Sequence, residues 1–305
     1  AFAVAIVEEA LQLREAGISK PILVLQGASD AADINKAAEH DFWLLLHQQQ
    51  QLDWLLCAIV SAPVNIWLKV DTGMHRLGFA PERLEQLCAA LGSSSNVRQE
   101  PVLCTHLACA DDINNPETQR QLSMIRACSK QHNLAMSIAN SAGILYWPQT
   151  HAKWNRPGYM LYGLCPTGQY DNEPHGLRPA MTMSSELIAI RHVKAGEGVG
   201  YGHDWVAGRD STIGTIPIGY GDGYPRHAPN GTPVLVNGKR AALTGRVSMD
   251  AISVDLTHLD SAAVGDPVEL WGQGLSVNEV ASYAGTIGYE LLAGLTGRVP
   301  AFYLA

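Results

Sequence analysis

Residues 64–78 read Val-Asn-Ile-Trp-Leu-Lys-Val-Asp-Thr-Gly-Met-His-Arg-Leu-Gly, an apolar run that leads into a polar, glycine-bearing loop. The run Val64–Val70 predicts a β-strand, with Lys69 near its carboxyl end and Arg76 shortly beyond it. In a barrel of parallel strands, the carboxyl ends form the face on which enzymes carry out their chemistry. The stretch therefore predicts a strand with a reactive end, although an ion pair at the rim of a sheet would explain the same two charges.

Further strand-like runs alternate with amphipathic helical runs through the first half of the chain. The other predicted strands are Phe2–Val7, Pro21–Gln26, Phe42–Leu46, Val102–His106, Ala135–Asn140 and Trp154–Tyr162, and the predicted helices include Glu8–Ala16, Gln48–Val60, Pro81–Leu91 and Pro116–His132. This alternation indicates βα units and a parallel sheet. The chain supplies seven such strands, whereas a closed (β/α)8 barrel has eight. We predict an α/β fold with a TIM-type (β/α)8 barrel whose first strand is absent from this chain, before Ala1.

The second part of the chain has a different texture, because helical patterning nearly vanishes after residue 175. Short apolar runs there alternate with Gly, Pro, Asp and Asn, and Val236-Asn237-Gly238-Lys239 predicts a β-hairpin with an Asn-Gly turn. One short helix is predicted at Val277–Ala284. We therefore predict two domains, a βα barrel over residues 1–175 and a mostly-β domain over residues 176–305.

Composition restricts the class of protein. Hydrophobic residues make up 47% of the 305 residues, charged residues make up 16%, and the net charge is -8. No basic stripe suggests a nucleic-acid partner, and no apolar run reaches the roughly 20 residues that cross a bilayer. The six cysteines include no CxxC pair; buried free thiols in a reducing compartment, the cytoplasm, are our interpretation, with a metal site or disulfides as alternatives.

Two small-residue loops follow strand-like runs near the end of the predicted barrel. They are Asn140-Ser141-Ala142-Gly143 and Arg156-Pro157-Gly158-Tyr159. Hydroxyl and backbone donors beside small residues suit a phosphate ester, which the last loops of a βα barrel commonly hold. Two ordinary turns are the alternative.

Four further strings are notable, each with a plain structural alternative. Thr105-His106 ends a predicted strand, where a histidine can simply be a hydrogen-bonded barrel residue. Gly200-Tyr201-Gly202 exposes a tyrosine, or forms a turn with an aromatic plug. Ile218–Arg226 is turn-rich and aromatic, and Gly245-Arg246-Val247-Ser248-Met249-Asp250 carries a methionine that could belong to a core.

Taken together, these strings resemble the alanine racemases, a family of pyridoxal-phosphate enzymes, and the resemblance spans the whole chain. It implies that Lys69 is a candidate for carbamylation, which would turn a cation into an anion and make it a partner for Arg76. It implies that Arg76 faces the cofactor and the substrate carboxylate, and that His106 packs on the pyridine ring. It gives Arg156 to the pyridine nitrogen, where a permanent cation disfavours ring protonation and weakens the electron sink.

The same resemblance assigns the remaining positions. Ser141 and the backbone of Gly158 and Tyr159 would bind the cofactor phosphate. Tyr201 would be a catalytic base on the L face of the substrate, and the Met249 amide would meet the substrate carboxylate. Tyr220 would line the substrate entryway. The family places the tyrosine and the methionine on the neighbouring subunit, so the resemblance implies a homodimer with shared active sites; no metal is implied.

The lysine that holds the cofactor in this family has no counterpart in the chain. None of its lysines lies in a Val-Lys-Ala-Asn-Ala-Tyr-like string: Lys20, Lys36, Lys69, Lys130, Lys153, Lys194 and Lys239. We predict that an N-terminal segment with that lysine is missing from the chain, which opens inside a predicted strand. The alternatives are a truncated or lysine-less relative that binds pyridoxal phosphate without catalysis, and a broad-specificity amino-acid racemase of the same fold.

Overall fold

A computed structural model describes residues 1–166 and 175–304 of the chain. Two compact units divide it, Ala1–Pro157 and Gly158–Ala305. The domain boundary predicted after residue 175 stays a prediction, since it adjoins residues 167–174, which are outside the described part.

The N-terminal unit is built from alternating strands and helices. Its strands are β1 (Phe2–Val4), β2 (Ile22–Val24), β3 (Phe42–Leu46), β4 (Asn65–Lys69), β5 (Val102–Cys104) and β6 (Met136–Ser137). Its helices are α1 (Val7–Glu15), α2 (Ala31–His40), α3 (Gln49–Cys57), α4 (Leu84–Gly92), α5 (Glu117–His132) and α6 (Ser141–Tyr146). The six strands pair in chain order, and every pair is parallel, as the βα alternation predicts.

Both faces of this sheet are covered, which explains why its strands are apolar without alternation. One face packs against the helices through residues such as Phe42, Leu44 and Leu68. The opposite face carries a smaller apolar cluster with Leu45 and Trp67. Side chains alternate along a strand, so Lys69 lies on the same face as Trp67. The lysine thus projects to the inner side of the sheet.

Two local predictions for the stretch from Asn140 to Tyr162 are wrong. The stretch Trp154–Tyr162 is not a strand: Trp154 makes one isolated parallel bridge to Ser137, and Tyr159–Tyr162 is a 3₁₀ helix. Pro157 ends the extended run because it has no N–H to donate to a ladder. The predicted loop from Asn140 is the start of α6, where the Asn140 side chain accepts a hydrogen bond from Gly143 N at 2.9 Å.

The C-terminal unit is mostly β. Its strands are β7 (Met183–Glu186), β8 (Ala189–Val193), β9 (Gly198–Val199), β10 (Trp205–Val206), β11 (Ser211–Ile216), β12 (Pro233–Val236), β13 (Lys239–Leu243), β14 (Ile252–Asp255) and β15 (Pro267–Trp271), and its helices are α7 (Val277–Tyr283) and α8 (Gly288–Ala293). Seven strands form an antiparallel sheet in the order β7-β15-β12-β13-β14-β11-β8, and β9 pairs with β10. The mostly-β character predicted for this part is confirmed.

The Asn-Gly hairpin is also confirmed. Val236 pairs with Lys239, and the two turn residues Asn237 and Gly238 have φ values of 48° and 73°. Positive φ at both positions is the backbone of a type I′ turn, whose twist matches that of the flanking strands. Within the described residues, no helix combines the length and apolar character needed to cross a membrane.

Candidate active site

Lys69 ends β4 in a partly buried, positively charged setting. Burial, together with the cations of Arg156 and Arg76, lowers the pKa of its ammonium to about 8, against opposing contributions from Cys104 and Asp71. A buried cation beside other cations favours its neutral form. At pH 7 about a tenth of Lys69 is therefore an uncharged, nucleophilic amine, and the rest is a cation.

The loop after β4 is held in shape by Asp71. Its carboxylate accepts hydrogen bonds from the N–H groups of Gly73 and His75, each at 3.0 Å, and it pairs with the His75 ring at 2.9 Å. Although burial opposes the shift, these contacts lower the pKa of Asp71. Phe79 N donates to Lys69 O at 2.9 Å, so the loop returns onto its own strand. Arg76 is exposed within this loop.

His106 follows β5 and is kept neutral by its surroundings. Burial, then the positive charges of Arg156, Lys69 and Arg76, lower the pKa of its imidazole to about 3. Its Nδ1 lies 3.5 Å from Arg156 Nη2. At neutral pH the ring is therefore an uncharged flat surface under the positive charges of Arg156, Lys69 and Arg76.

Arg156 is fixed by oxygen atoms at the ends of two strands. Its Nη1 donates to Ser137 Oγ at 2.5 Å, and its Nη2 donates to Thr105 O at 2.6 Å and to Ile138 O at 3.3 Å. An arginine guanidinium in a protein is always charged. Arg156 therefore presents a positioned, permanent cation beside the His106 ring.

Ser141 is buried at the first turn of α6. The turn is tightly packed, because a Cβ added at Gly143 would lie 3.1 Å from side-chain atoms of Ala139, Leu107 and Thr150. The small residues of this predicted phosphate loop thus have a packing reason as well. Both readings of the sequence, a tight turn and a binding loop, are compatible with the geometry.

In the C-terminal unit, Gly158 lies against a residue to which sequence reasoning gave no role. A Cβ added at Gly158 would lie 2.6 Å from the hydroxyl oxygen of Tyr289. The Tyr289 ring packs on Tyr159 with centroids 4.1 Å apart, and the buried Tyr159 hydroxyl donates to Asn278. Burial raises the pKa of Tyr159 to about 12, so its hydroxyl keeps its proton. The only signal for Tyr289 in the sequence was its place in the string Tyr289-Glu290-Leu291-Leu292.

Three exposed side chains of the C-terminal unit lie on loops that are bonded to one another. The exposed fractions are 68% for Tyr201, 40% for Tyr220 and 52% for Met249. Tyr220 N donates to Ser248 O at 3.1 Å, and the next amide donates to Met249 O at 2.9 Å. These two loops therefore form one surface.

The loop that carries Tyr201 is joined to the same surface. Arg246, which precedes Met249 by three residues, forms an ion pair with Asp204 beside the Tyr201–His203 helical turn. Gly200 and Gly202, on either side of the tyrosine, have φ values of 73° and 72°, a region that glycine adopts without strain.

The predicted site residues thus fall into two groups. The structure brings Lys69, Arg76, His106 and Arg156 together in the N-terminal unit, and it joins the loops of Tyr201, Tyr220 and Met249 in the C-terminal unit. Among the described residues, no group of three or more His, Cys, Asp or Glu is arranged to hold a metal ion.

The sequence and the fold match those of known proteins. Residues 1–166 match the family model "Alanine racemase, N-terminal domain", and residues 180–303 match "Alanine racemase, C-terminal domain". The chain is 47% identical to an alanine racemase of Chromohalobacter salexigens over 99% of its own length and 83% of the relative. It is 49% identical to the biosynthetic alanine racemase of Pseudomonas aeruginosa, and the match covers 99% of this chain and 84% of that relative.

Solved structures give the same result. The crystal structure of the biosynthetic alanine racemase of Pseudomonas aeruginosa matches with a TM-score of 0.95 and 48% identity, covering 100% of this chain and 85% of that one. The alanine racemase of Bartonella henselae, solved with covalently bound pyridoxal phosphate, matches with a TM-score of 0.89 and 32% identity, covering 99% and 84%.

The fold and the site thus define a two-domain isomerase with an N-terminal βα barrel and a mostly-β C-terminal domain. The chain belongs to the alanine racemase family, whose members depend on pyridoxal phosphate.

The residues of the N-terminal unit fit that cofactor. Neutral His106 offers a flat ring for packing against a pyridine, and Arg156 offers a donor to an unprotonated ring nitrogen. The cations of Arg156 and Arg76 also suit the anionic phosphate and substrate carboxylate.

Proposed function

We propose that this chain provides the active-site residues for the pyridoxal-phosphate-dependent interconversion of L-alanine and D-alanine. The observation that carries the proposal is the grouping of residues at the carboxyl ends of parallel strands: His106 Nδ1 lies 3.5 Å from Arg156 Nη2, near the charges of Lys69 and Arg76. The product would serve cell-wall peptidoglycan, or the reaction would allow D-alanine catabolism. We also propose a cytoplasmic location, for which the free thiols of the cysteines are the support.

The cofactor, when bound, withdraws electrons from the α-carbon of an amino acid and so acidifies its α-proton. His106 would pack on the pyridine ring, and Arg156 would donate to the ring nitrogen. Ser141, the backbone of Gly158 and Tyr159, and the hydroxyl of Tyr289 would bind the phosphate. The position of Tyr289 beside Gly158 supports its inclusion.

The substrate would be held by its carboxylate. Arg76 would pair with it, and the Met249 amide would donate to it. The lowered pKa of Lys69 supports carbamylation, because only a neutral amine reacts with carbon dioxide. The resulting anion would orient Arg76 through a charge-assisted hydrogen bond.

Proton transfer at the α-carbon would fall to Tyr201 on the L face. A tyrosine has an ordinary pKa of about 10 and is a poor base at neutral pH, so a nearby cation is needed to favour its phenolate. The high exposure of Tyr201 and Met249 supports an assembly in which they enter the site of a second subunit. We therefore propose a homodimer with shared active sites, with Tyr220 lining the entry.

The lysine for covalent attachment of the cofactor would lie outside these 305 residues. Two observations support this. The match covers only 83% to 85% of the length of the relatives, and no lysine of this chain lies in a Val-Lys-Ala-Asn-Ala-Tyr-like string. The lack of that lysine string also favours a second candidate, a relative that binds pyridoxal phosphate without catalysis.

Borohydride reduction separates the two candidates. It fixes a pyridoxyl group on the lysine that carries the cofactor, and peptide mass spectrometry then locates the label. We expect a label on a peptide outside the 305 residues in a protein that racemises alanine. A protein that binds the cofactor, yields no labelled lysine and lacks racemase activity would be the non-catalytic relative, and the proposed activity would be wrong.

A further inference from the structure

Gln121 is a fully buried glutamine. The hydrogen bonds of its side-chain amide connect the residues that follow two strands of the N-terminal unit. Gln121 lies on α5 and has 0% of its surface exposed. Its Oε1 accepts from Ala108 N at 2.9 Å, and its Nε2 donates to His106 O and to Thr72 Oγ1, each at 3.0 Å. A buried amide is costly unless its donors and acceptors are paired, and here both ends are paired with groups near the site.

The network extends from Gln121 to the charged residues of the site. Thr72 Oγ1 lies 2.7 Å from Thr105 Oγ1, and each threonine is only 1% exposed. Thr105 O in turn accepts from Arg156 Nη2 at 2.6 Å. Hydrogen bonds therefore connect Thr72, in the loop that carries Arg76, through Gln121 to the His106 backbone and through Thr105 to Arg156.

We propose that Gln121 is a positioning residue of the racemase site: its amide holds the end of β4 and the end of β5 together, so that His106 and the Arg76 loop keep a fixed separation. This role rests on the proposed function, because it matters only where a cofactor ring and a substrate carboxylate must be bound at once. Misplacement of such groups by fractions of an ångström lowers rates without removing any contacting residue.

Gln51 offers a matched control in the same unit. It is 1% exposed on α3, its Nε2 donates to Gln26 O at 2.8 Å and to Ala28 O at 3.0 Å, and its Oε1 accepts from His47 N at 3.0 Å. It thus joins the ends of β2 and β3 as Gln121 joins those of β4 and β5. The ends that Gln51 joins carry none of the cofactor or substrate contacts proposed above.

The test compares Gln121→Met with Gln51→Met in the complete protein. Methionine keeps the side-chain length and removes the hydrogen bonds, so both variants lose stability for the same reason. Three quantities are measured for each: the unfolding midpoint, the Kd of pyridoxal phosphate for the apoprotein by absorbance titration, and kcat and KM for alanine. We expect Gln121→Met to raise the cofactor Kd and lower kcat about tenfold or more, and Gln51→Met to change each less than about threefold.

Equal effects of the two variants on cofactor Kd and kcat, at a similar shift of the unfolding midpoint, would overturn the role of Gln121. If Gln121→Met does not fold, the variant Thr72→Val tests the role of Gln121 instead. It removes only the hydroxyl that links Gln121 to the Arg76 loop, so KM for alanine should rise about threefold or more, whereas an unchanged KM would overturn the role. A wild-type protein that neither binds pyridoxal phosphate nor racemises alanine would refute the proposed function itself.

Discussion

At the residue scale, the neutrality of His106 has a consequence for stability. Its pKa is about 3 in the folded chain against an ordinary value of 6.5, because burial and then Arg156, Lys69 and Arg76 disfavour the imidazolium. Protons therefore bind preferentially to the unfolded chain between these two values. The contribution of neutral His106 to the free energy of unfolding is therefore fully present above pH 6.5 and is lost as the pH falls toward 3.

A variant without the imidazole tests this dependence. The stability of the wild type should fall relative to His106→Gln by at most about 1.4 kcal/mol per pH unit on acidification below the ordinary pKa. Urea unfolding of both proteins at several pH values, from about 7 to about 5, measures the difference. A difference that does not change with pH would show that His106 has the same pKa in the folded protein as in the unfolded chain. Carbamylation of Lys69 would replace a cation by an anion, which opposes the shift, but burial, the largest cause, and Arg156 would remain, so the sign is unaffected.

At the scale of elements, the short helix α6 depends on its cap. It has six residues, and the Asn140 side chain supplies the acceptor for Gly143 N. Asn140→Ala should cost about 1 kcal/mol of stability. Because Ser141 lies in the capped turn, the affinity for pyridoxal phosphate should also fall, by about threefold or more.

Asp30 is the matched control for this change. Its side chain caps α2 by accepting from Asp33 N at 3.0 Å, and α2 supplies no proposed cofactor contact. Asp30→Ala should lower stability by a similar amount, about 1 kcal/mol, and leave the cofactor affinity unchanged. Equal cofactor affinity in the two variants, by absorbance titration, would count against a phosphate contact at the start of α6.

At the scale of the whole molecule, the proposed shared site can be tested by complementation. Arg76→Ala and Tyr201→Phe each damage a different half of the site, so each homodimer should be nearly inactive. A dimer with one chain of each kind has one site with both native residues if the halves come from different subunits. Co-expression should then restore roughly a quarter of the wild-type activity, since about half of the dimers are hybrids with one intact site.

The control pairs two variants of the same half. Arg76→Ala with Arg156→Ala leaves every site of the hybrid damaged, so no activity should return. Activity restored in this control would reveal recombination or carry-over of wild-type protein. No activity in the first pairing, with hybrid dimers shown by mass spectrometry, would contradict the shared site.

Local patterns of sequence were sufficient for much of the fold. The strand Phe42–Leu46 has the predicted bounds, and the turn at Asn237-Gly238 has the predicted geometry. Both are decided by neighbouring residues: an uninterrupted apolar run in one case, and two residues that accept positive φ in the other. The motifs at Lys69, His106 and Arg156 also named residues that the structure brings together.

Contacts between distant residues decided the rest. Trp154 could not be distinguished from a strand residue by its neighbours, because its pairing depends on Ser137 and stops at one bridge. The contacts of Gln121 and Tyr289 could not be predicted either, since a glutamine or tyrosine in a helical pattern gives no sign of what it touches.

The sequence alone thus determined most of the order of elements and the residue types at the strand ends, which depend on local periodicity and composition. The tertiary structure alone decided which buried polar groups are paired and how far a pKa is moved. Hydrogen bonds and electrostatic interactions depend on distances between atoms far apart in the chain, as in the contact of Gln121 with Thr72 at 3.0 Å.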